Sequence, residues 1–574
     1  MKPLIAPVVV LLLMPLTGCA MLSLGGGEQA EAKLEELAQD SGAALISRFA
    51  HPYGLDVVKV ESVALVTGLD GTGSDPAQSS RRATLLSEMK RRKVDRPNAV
   101  LASPSTSLVL VQGLLRPGIE KGDRFDVVVR TPTRSETTSL RNGRLLPTDL
   151  TELAVLGNSI REGHVWARAG GEILVDPSAG ADGDALATRG RVLGGGISLR
   201  TRDLGLIVGN NHKSVRMTQS IAGSINQRFQ SYDRGQQSGV AEAKTDEFVK
   251  LRMHPRYKDN VTRYIRVLRS IALSESPGDR IERAQLLGKQ LMDPMISAKA
   301  ALRLEAIGGD LAVEQLLPAI DSPDLEVRFY AAESLAYLDE TAGVAALAEA
   351  AREEPALRVH ALSALSAMDD VHAYDALRGL LTSKSAETRY GAFRALIAMN
   401  ADDPKIRGER LGGHFLFHVL DVEGEAMVHA TRSRRPELVL FGRDQRLKLP
   451  TVLDAGSDIL INGMSGNEVV VSRVTSGGET RRMTVSPALN EVVHAIVELG
   501  GAYPDVVQAL QQASATGVLS SRFRVDAIPR PGRELDRDQE PAASDDDDGN
   551  GDASVEPGSY RVATPAPDLF TTTD

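Results

Sequence analysis

The 574-residue chain has one cysteine, one tryptophan and few aromatic residues. A lone cysteine, Cys19, excludes any disulfide within the chain, so packing alone must stabilise it. With Cys19 engaged elsewhere there is also no thiol left for nucleophilic chemistry. The chain has no G-x-S-x-G elbow, no H-E-x-x-H helix, no EF-hand run and no Walker loop, which removes the commonest sequence signs of hydrolase, zinc, calcium and nucleotide sites. A basic excess is missing as well. The net charge is −10, and residues 534–556 carry ten acids against one base, Arg537. The body outside this run is close to neutral, which gives no electrostatic basis for binding nucleic acid.

What is present begins with "MKPLIAPVVVLLLMPLTGCA", a basic residue, a short apolar run and small residues. That is a secretory signal and not a membrane span. Its Leu16-Thr17-Gly18-Cys19 ending is the bacterial lipobox pattern, which makes Cys19 the expected lipidation site; the plainer alternative is an ordinary signal with a chance cysteine. Several acyl chains on one residue would hold the chain stably at a bilayer. Ala20, and not Asp, follows the cysteine, which favours the outer membrane. The expected organisation is a signal peptide (1–18), an anchor, linker and short helix (19–54), an α+β region (55–280), an α-helical block (281–405), a second β region with a helical hairpin (406–530), and an acidic tail (531–574). The tail is too polar to offset its ordering entropy and is expected to be disordered.

In the first region, 57–66, 107–114, 126–130 and 205–208 read as strands, and "RRATLLSEMKRRK" and "VRMTQSIAGSINQRF" as helices. Residues 63–76, "VALVTGLDGTGSDP", end a strand in a loop holding Gly68, Gly71 and Gly73. This G-x-x-G-x-G order is neither the dinucleotide nor the P-loop spacing, so the expectation is a tight loop needing positive φ and not a phosphate cradle. The helical block repeats itself. Leu304, Leu335, Leu365 and Leu396 recur at intervals of 30 or 31, as do Arg328, Arg358 and Arg389. Such a period marks stacked helix pairs that share one core, and the units resemble short bacterial HEAT repeats. Four units are visible, the first without the arginine. The arginines either brace neighbouring units, the favoured reading, or line a binding face. Farther on, Ser486 with Pro487 suits a helix start. His414 and His418, with Glu423 and Glu425 nearby, fit partly exposed strand histidines better than a metal site. The expectation is no catalytic residue, no metal and no cofactor.

Taken in order, the strand-and-glycine segment 65–75, the strand-turn-strand run 108–150, the segments 164–171 and 188–197 and the stretch 489–525 resemble the flagellar basal-body P-ring protein family. "LVTGLDGTGSD" (65–75) is similar to its strand-and-glycine motif, with Asp70 where the family usually has Asn and 62–64 reading Ser-Val-Ala in place of Gly-Tyr-Gly. "LVLVQGLLRPGIEKGDRFDVVVRTPTRSETTSLRNGRLLPTDL" (108–150), "HVWARAGG" (164–171) and "TRGRVLGGGI" (188–197) follow in family order, and 489–525 looks like the terminal hairpin and strand. The resemblance covers about 55–272 and 436–527. It implies an α+β fold whose mixed, β-rich ring-forming domains flank an inserted all-α solenoid. It also implies a non-enzymatic subunit of a homo-oligomeric periplasmic ring around the flagellar rod. The implied partners are further copies of the chain, rod and L-ring proteins, peptidoglycan, and the outer membrane through the lipid on Cys19. Three departures stand out: the lipobox, a family disulfide that cannot form here, and the insert, which would have to project without blocking ring closure. The other function class open to such a chain is an outer-membrane HEAT-repeat lipoprotein serving as an envelope scaffold.

Overall fold

The computed structural model describes residues 43–156, 159–175, 186–233, 236–413, 415–464, 466–474, 480–536 and 559–570. Cys19 and "EQAEAKLEELAQ" (28–39), the sequence of the short helix expected in the anchor segment, lie outside these residues, as does most of the acidic run.

After β1 (Ala50–Tyr53) the chain forms β2 (Val58–Thr67), α1 (Ser80–Arg91), α2 (Pro97–Leu101), β3 (Ser107–Leu115), β4 (Arg124–Arg130), β5 (Arg144–Leu156), β6 (Ser159–Glu172), the two-residue β7 (Leu174–Val175) and β8 (Arg189–Ser198). Six strands close into an antiparallel barrel in the order β2-β3-β4-β8-β6-β5, with β7 added beside β8. Closure leaves the barrel no free strand edge. Alternation along the strands fills its inside: Val60, Val66, Val109, Val111, Phe125, Val127 and Val129 are all buried. Phe125 fits because Gly113 and Gly196 lie against its ring, and a Cβ at either would overlap it. Leu65 and Leu108 point the other way and pack under Leu85 and Met89 of α1.

The chain then makes β9 (Leu204–Val208), α3 (Val215–Arg228), the hairpin β10 (Gln230–Asp233) and β11 (Gln236–Gly239), then β12 (Ala241–Ala243), β13 (Phe248–Leu251) and α4 (Val261–Arg269). A four-stranded antiparallel sheet, β1-β9-β13-β12, collects the first strand with the later ones. Its inner face, with Leu206, Val208, Val249 and Leu251, joins Ile221 and Ile225 of α3 and Val267 and Leu268 of α4 in one core.

That core continues without a break into four helix pairs: α5 (Pro277–Leu291) with α6 (Ser297–Ile307), α7 (Gly309–Leu316) with α8 (Leu325–Tyr337), α9 (Val344–Glu353) with α10 (Arg358–Ser366), and α11 (Val371–Leu380) with α12 (Ala386–Met399). Leu304, Leu335, Leu365 and Leu396 occupy matching, fully buried places on α6, α8, α10 and α12. The two rows of helices differ. Each of α5, α7, α9 and α11 buries one stripe, whereas α10 buries every residue and α6, α8 and α12 nearly all of theirs. A helix buried all round is covered on both sides. The cover on the inner row comes from this chain's own flanking regions.

Beyond the solenoid, β14 (Glu409–Leu411), β15 (Phe415–Leu420), β16 (Met427–Ala430) and β17 (Glu437–Phe441) join a mixed five-stranded sheet, β14-β15-β17-β16-β22. An antiparallel meander follows: β18 (Thr451–Ala455), β19 (Ile459–Gly463), β20 (Val469–Val474) and β21 (Thr480–Val485). The hairpin α13 (Leu489–Glu498) and α14 (Tyr503–Ala515) packs on both sheets and leads into β22 (Arg522–Val525). The first of these helices begins three residues after Ser486: its N-cap is Ala488, while Ser486 accepts from the Ala488 amide and its own amide is taken by Glu491.

The tail departs from the expectation of disorder at both of its described ends. β23 (Glu534–Asp536) pairs antiparallel with β24 (Ser559–Arg561). Leu535, Leu569 and Phe570 are buried in the solenoid core. Composition averaged over the acidic run concealed these short apolar ends.

Candidate functional site

The glycine loop is held against neighbouring loops and not open to an anion. Leu69 donates its amide to Ser105 O (3.1 Å) and Gly73 to Pro104 O (2.8 Å). The Thr72 hydroxyl donates to Ser139 O at 2.8 Å, and Asn142 donates to the Asp70 carboxylate at 2.9 Å. Buried Arg82 of α1 reaches back to the Asp75 carboxylate and Pro76 O. Gly68 and Gly71 have φ of +79° and +78°, conformations that suit glycine. Gly73 differs from the expectation. Its φ is ordinary, and glycine is needed because a Cβ would overlap the carbonyl oxygens of Thr106 and Pro104.

The three repeat arginines share one local task. At the start of its inner helix, each donates to carbonyls that the preceding helix end or turn leaves unpaired. Arg328 takes Ser322 O and Pro323 O, Arg358 takes Ala351 O, and Arg389 takes Leu381 O. In the unit that lacks the arginine, the Ser297 hydroxyl donates to Pro294 O. Only two arginines reach beyond their own unit. Arg358 extends to Glu387 of the next repeat (3.1 Å), and Arg389 to Glu425 O at 2.7 Å.

The charged groups that matter most were not singled out in the sequence. Two buried clusters fasten the solenoid to the regions before and after it. At the first seam, Arg263 of α4 is 1 % exposed and Glu305 of α6 is 0 % exposed. Arg263 donates to Glu305 at 2.5 Å through Nη2 and to Glu333 of α8 at 2.7 Å through Nη1. The Tyr257 hydroxyl donates to Glu305 at 2.7 Å, and the guanidinium also lies 4.4 Å from the Tyr337 ring centroid. Burial alone would lower the Arg263 pKa, but Glu305 and Glu333 outweigh it and hold the guanidinium charged. At Glu333, burial outweighs the pull of Arg263 and raises the carboxyl pKa.

The second seam repeats the chemistry with other residues. Glu437 of β17, 0 % exposed, accepts from the Tyr390 hydroxyl at 2.7 Å and from Arg394 at 3.0 Å, both on α12. Here burial pushes the carboxyl up, but Arg394 and the other partners outweigh it and the net shift is downward. His429 stacks on Tyr390 with ring centroids 3.7 Å apart and accepts from the Ala527 amide. His418 is buried and not partly exposed as the sequence suggested. Its ring bonds to Ile406 O and meets Phe393 edge-on, because its strand faces the last inner helix. His414 lies outside the described residues. Among those residues no group of three His, Cys, Asp or Glu gathers where a metal could be held, and no helix is long and apolar enough to cross a membrane.

Residues 562–570 run from one seam to the other. The Ala563 amide donates to the Tyr330 hydroxyl (3.1 Å), and the Thr564 hydroxyl donates to Glu333 while accepting from Arg263. His360 bonds to the Pro565 carbonyl. Asp568 accepts from the Val261 amide, capping α4. Phe570 ends beside Tyr390 and Arg394. The visible sequence sign was "TPAPDLF" (564–570), a proline-spaced apolar run closing a polar tail.

Two outcomes follow from this geometry. Gly73→Ala should cost about 2–4 kcal/mol through the clash with backbone oxygens, while Gly71→Ala, with open space around it, should cost about 1–2 kcal/mol for the left-handed conformation alone; urea unfolding measures both. Second, burial pushes His360 and His429 down to about 3. These groups stay neutral when folded and protonate when unfolded, so their contribution is complete above pH 6.5 and is lost as pH falls towards 3. The expected slope is about 1.4 kcal/mol per pH unit for each histidine, and His429→Gln should remove one share of it in urea titrations at pH 6.5, 5.5 and 4.5.

Comparison with known proteins matches residues 50–283 to the family model described as flagellar P-ring protein, and residues 313–397 to HEAT repeats. The first span contains the barrel, the four-stranded sheet and α4; the second lies within the solenoid. The flagellar P-ring protein of Hydrogenovibrio crunogenus is 27 % identical over 247 residues, covering 41 % of this chain and 62 % of that protein. Those of Photorhabdus laumondii and Escherichia coli O139:H28 are 27 % and 28 % identical over 228 residues, each covering 38 % of this chain and 57 % and 58 % of theirs. The chain thus spans about six-tenths of the length of these relatives. The resemblance read from the sequence is matched over its first P-ring-like span and over the HEAT repeats; neither match extends to the second span, 436–527.

Proposed function

We propose that this chain is a non-enzymatic structural subunit of a flagellar P ring, a homo-oligomer around the rod in the periplasm, carrying a solenoid as a fixed outer body. The observation that carries the reading is the family match over 50–283, which coincides with the barrel and the sheet built beside it. In this reading the β region after the solenoid (406–530) is the second ring-forming part. The Leu-Thr-Gly-Cys sequence would place a lipid on Cys19 and tether the ring to the outer membrane, beside L-ring proteins and peptidoglycan.

Ring closure needs two different faces that meet head to tail. The chain offers two exposed apolar sets on separate sheets. Tyr53 and Ile207 share the outward face of β1 and β9, with Tyr53 edge-on to Phe248 of β13. Val452, Leu460 and Val474 share the outward side of the meander. Exposed apolar patches of this kind mark association surfaces, and in this reading one set of each copy meets the other set of its neighbour.

Ile207→Asp and Val452→Asp should each abolish assembly while the single chain stays folded, Val452→Asp with an almost unchanged unfolding midpoint because Val452 is 59 % exposed and Ile207→Asp with a lower one because Ile207 is 37 % exposed. Electron microscopy of basal bodies from the native cell should show a ring with added peripheral density in the parent strain and none in either variant. A chain absent from basal bodies, whose loss leaves swimming intact, would contradict the ring reading and support the envelope scaffold.

A further inference from the structure

Residues 562–570 lie along the inner side of the solenoid, with no helix or strand between Val562 and Asp568. Their burial follows a pattern: Thr564, Pro565, Pro567, Leu569 and Phe570 face in, while Ala563 and Ala566 face solvent. A proline-spaced segment of this kind is already extended, so little entropy is lost when a groove takes it up. The groove reads it at its backbone and side chains alike. Tyr330 accepts the Ala563 amide, Glu333 and Arg263 share the Thr564 hydroxyl, and the Asp259 carbonyl accepts the Asp568 amide at 2.6 Å. The Asp568 carboxylate caps α4 at the Val261 amide, 3.0 Å away. Glu333 Oε1 is buried without a hydrogen bond, so this carboxylate depends on Thr564 and Arg263 for its partners.

The connection to the segment is long. Asp536 and Ser559 are cross-strand partners, yet twenty-two residues, 537–558, join them, where about two to five close most hairpins. A chain of that length can reach on the order of 70 Å, more than docking on its own solenoid needs.

We infer that the inner groove of the solenoid, from Tyr330 and Glu333 to Tyr390, is a peptide-docking site for the sequence Thr-Pro-Ala-Pro-Asp-Leu-Phe, filled by the chain's own end in the single molecule and open to the same segment of a second copy. Exchange of the segment links copies without either apolar sheet face. The site stands whether or not the chain forms a ring.

The test uses the full chain with a protease site inserted within 537–558 and with Ile207→Asp and Val452→Asp present, so that ring contacts cannot contribute. After cleavage, the released 559–574 fragment should co-elute with the body on gel filtration and should exchange with a fluorescent synthetic 559–574 peptide. Thr564→Val in that peptide should weaken binding roughly tenfold, the loss expected for a hydroxyl shared with buried charges, and Phe570→Ala should weaken it further. Uncut chain should bind the peptide far more weakly, because its own segment competes. For the second copy, a tagged chain ending at 536 and shown folded by circular dichroism should capture the untagged full chain, and Thr564→Val with Phe570→Ala in the latter should abolish capture. A fragment that separates from a folded body overturns the docking site; one that stays bound but never exchanges overturns its opening to a second copy. Capture that survives the tail substitutions overturns exchange between copies.

Discussion

Arg263 sits where three parts of the chain meet, and its ion pairs with Glu305 and Glu333 hold them in one arrangement. The arginine comes from the P-ring-like region, the two carboxylates from successive inner helices of the solenoid, and Thr564 from the far end of the chain. Taking these charges out of water is costly, and an apolar trio of the same shape could be equally stable. A buried pair is demanding, however: any shift that separates the partners leaves a charge unpaired inside protein. The cluster therefore acts on geometry more than on net stability. It sets where the solenoid stands relative to the barrel and the sheet.

Glu437 does the same at the other end with Tyr390 and Arg394. An inserted repeat array joined only by its two chain crossings would be free to swing. Here the inner helices are covered on one side by their outer partners and on the other by α4, the tail and the C-terminal sheet, so the array is fused into a single core. The repeat arginines belong to a different level of organisation. They satisfy helix-end carbonyls locally, and the stacking comes from Leu304, Leu335, Leu365, Leu396 and their neighbours. The consequence is that the solenoid is held in one core with the barrel-side sheet and the C-terminal sheet.

Much of this architecture was legible in the residues. The strand read at 57–66 is Val58–Thr67 in the structure, because alternation of inward and outward side chains leaves a direct trace in sequence. The solenoid was legible through its period for the same reason. What escaped were contacts made by single residues across long separations. Arg263, within "VTRYIRVLR", looks like one more surface arginine, and only the fold shows that it faces two buried acids, Glu305 and Glu333, and the hydroxyls of Thr564 and Ser334. His418 sits on a strand that reads as half exposed until α12 is laid over it. Gly73 looks like its neighbours Gly68 and Gly71, yet it serves close approach and not positive φ. The docking of residues at 534–536 and 559–570 escaped because the charge of the tail outweighs its few apolar residues.

Native-state hydrogen exchange tests most directly whether the buried clusters bind the solenoid and its flanks into one cooperative unit. Amides of α4, α6 and α8 should open with one common free energy, and Glu305→Gln should lower all three together, by about 3–5 kcal/mol, the cost of breaking a buried pair. Separate opening energies for α4 and α8, with only α6 responding to the substitution, would contradict the account.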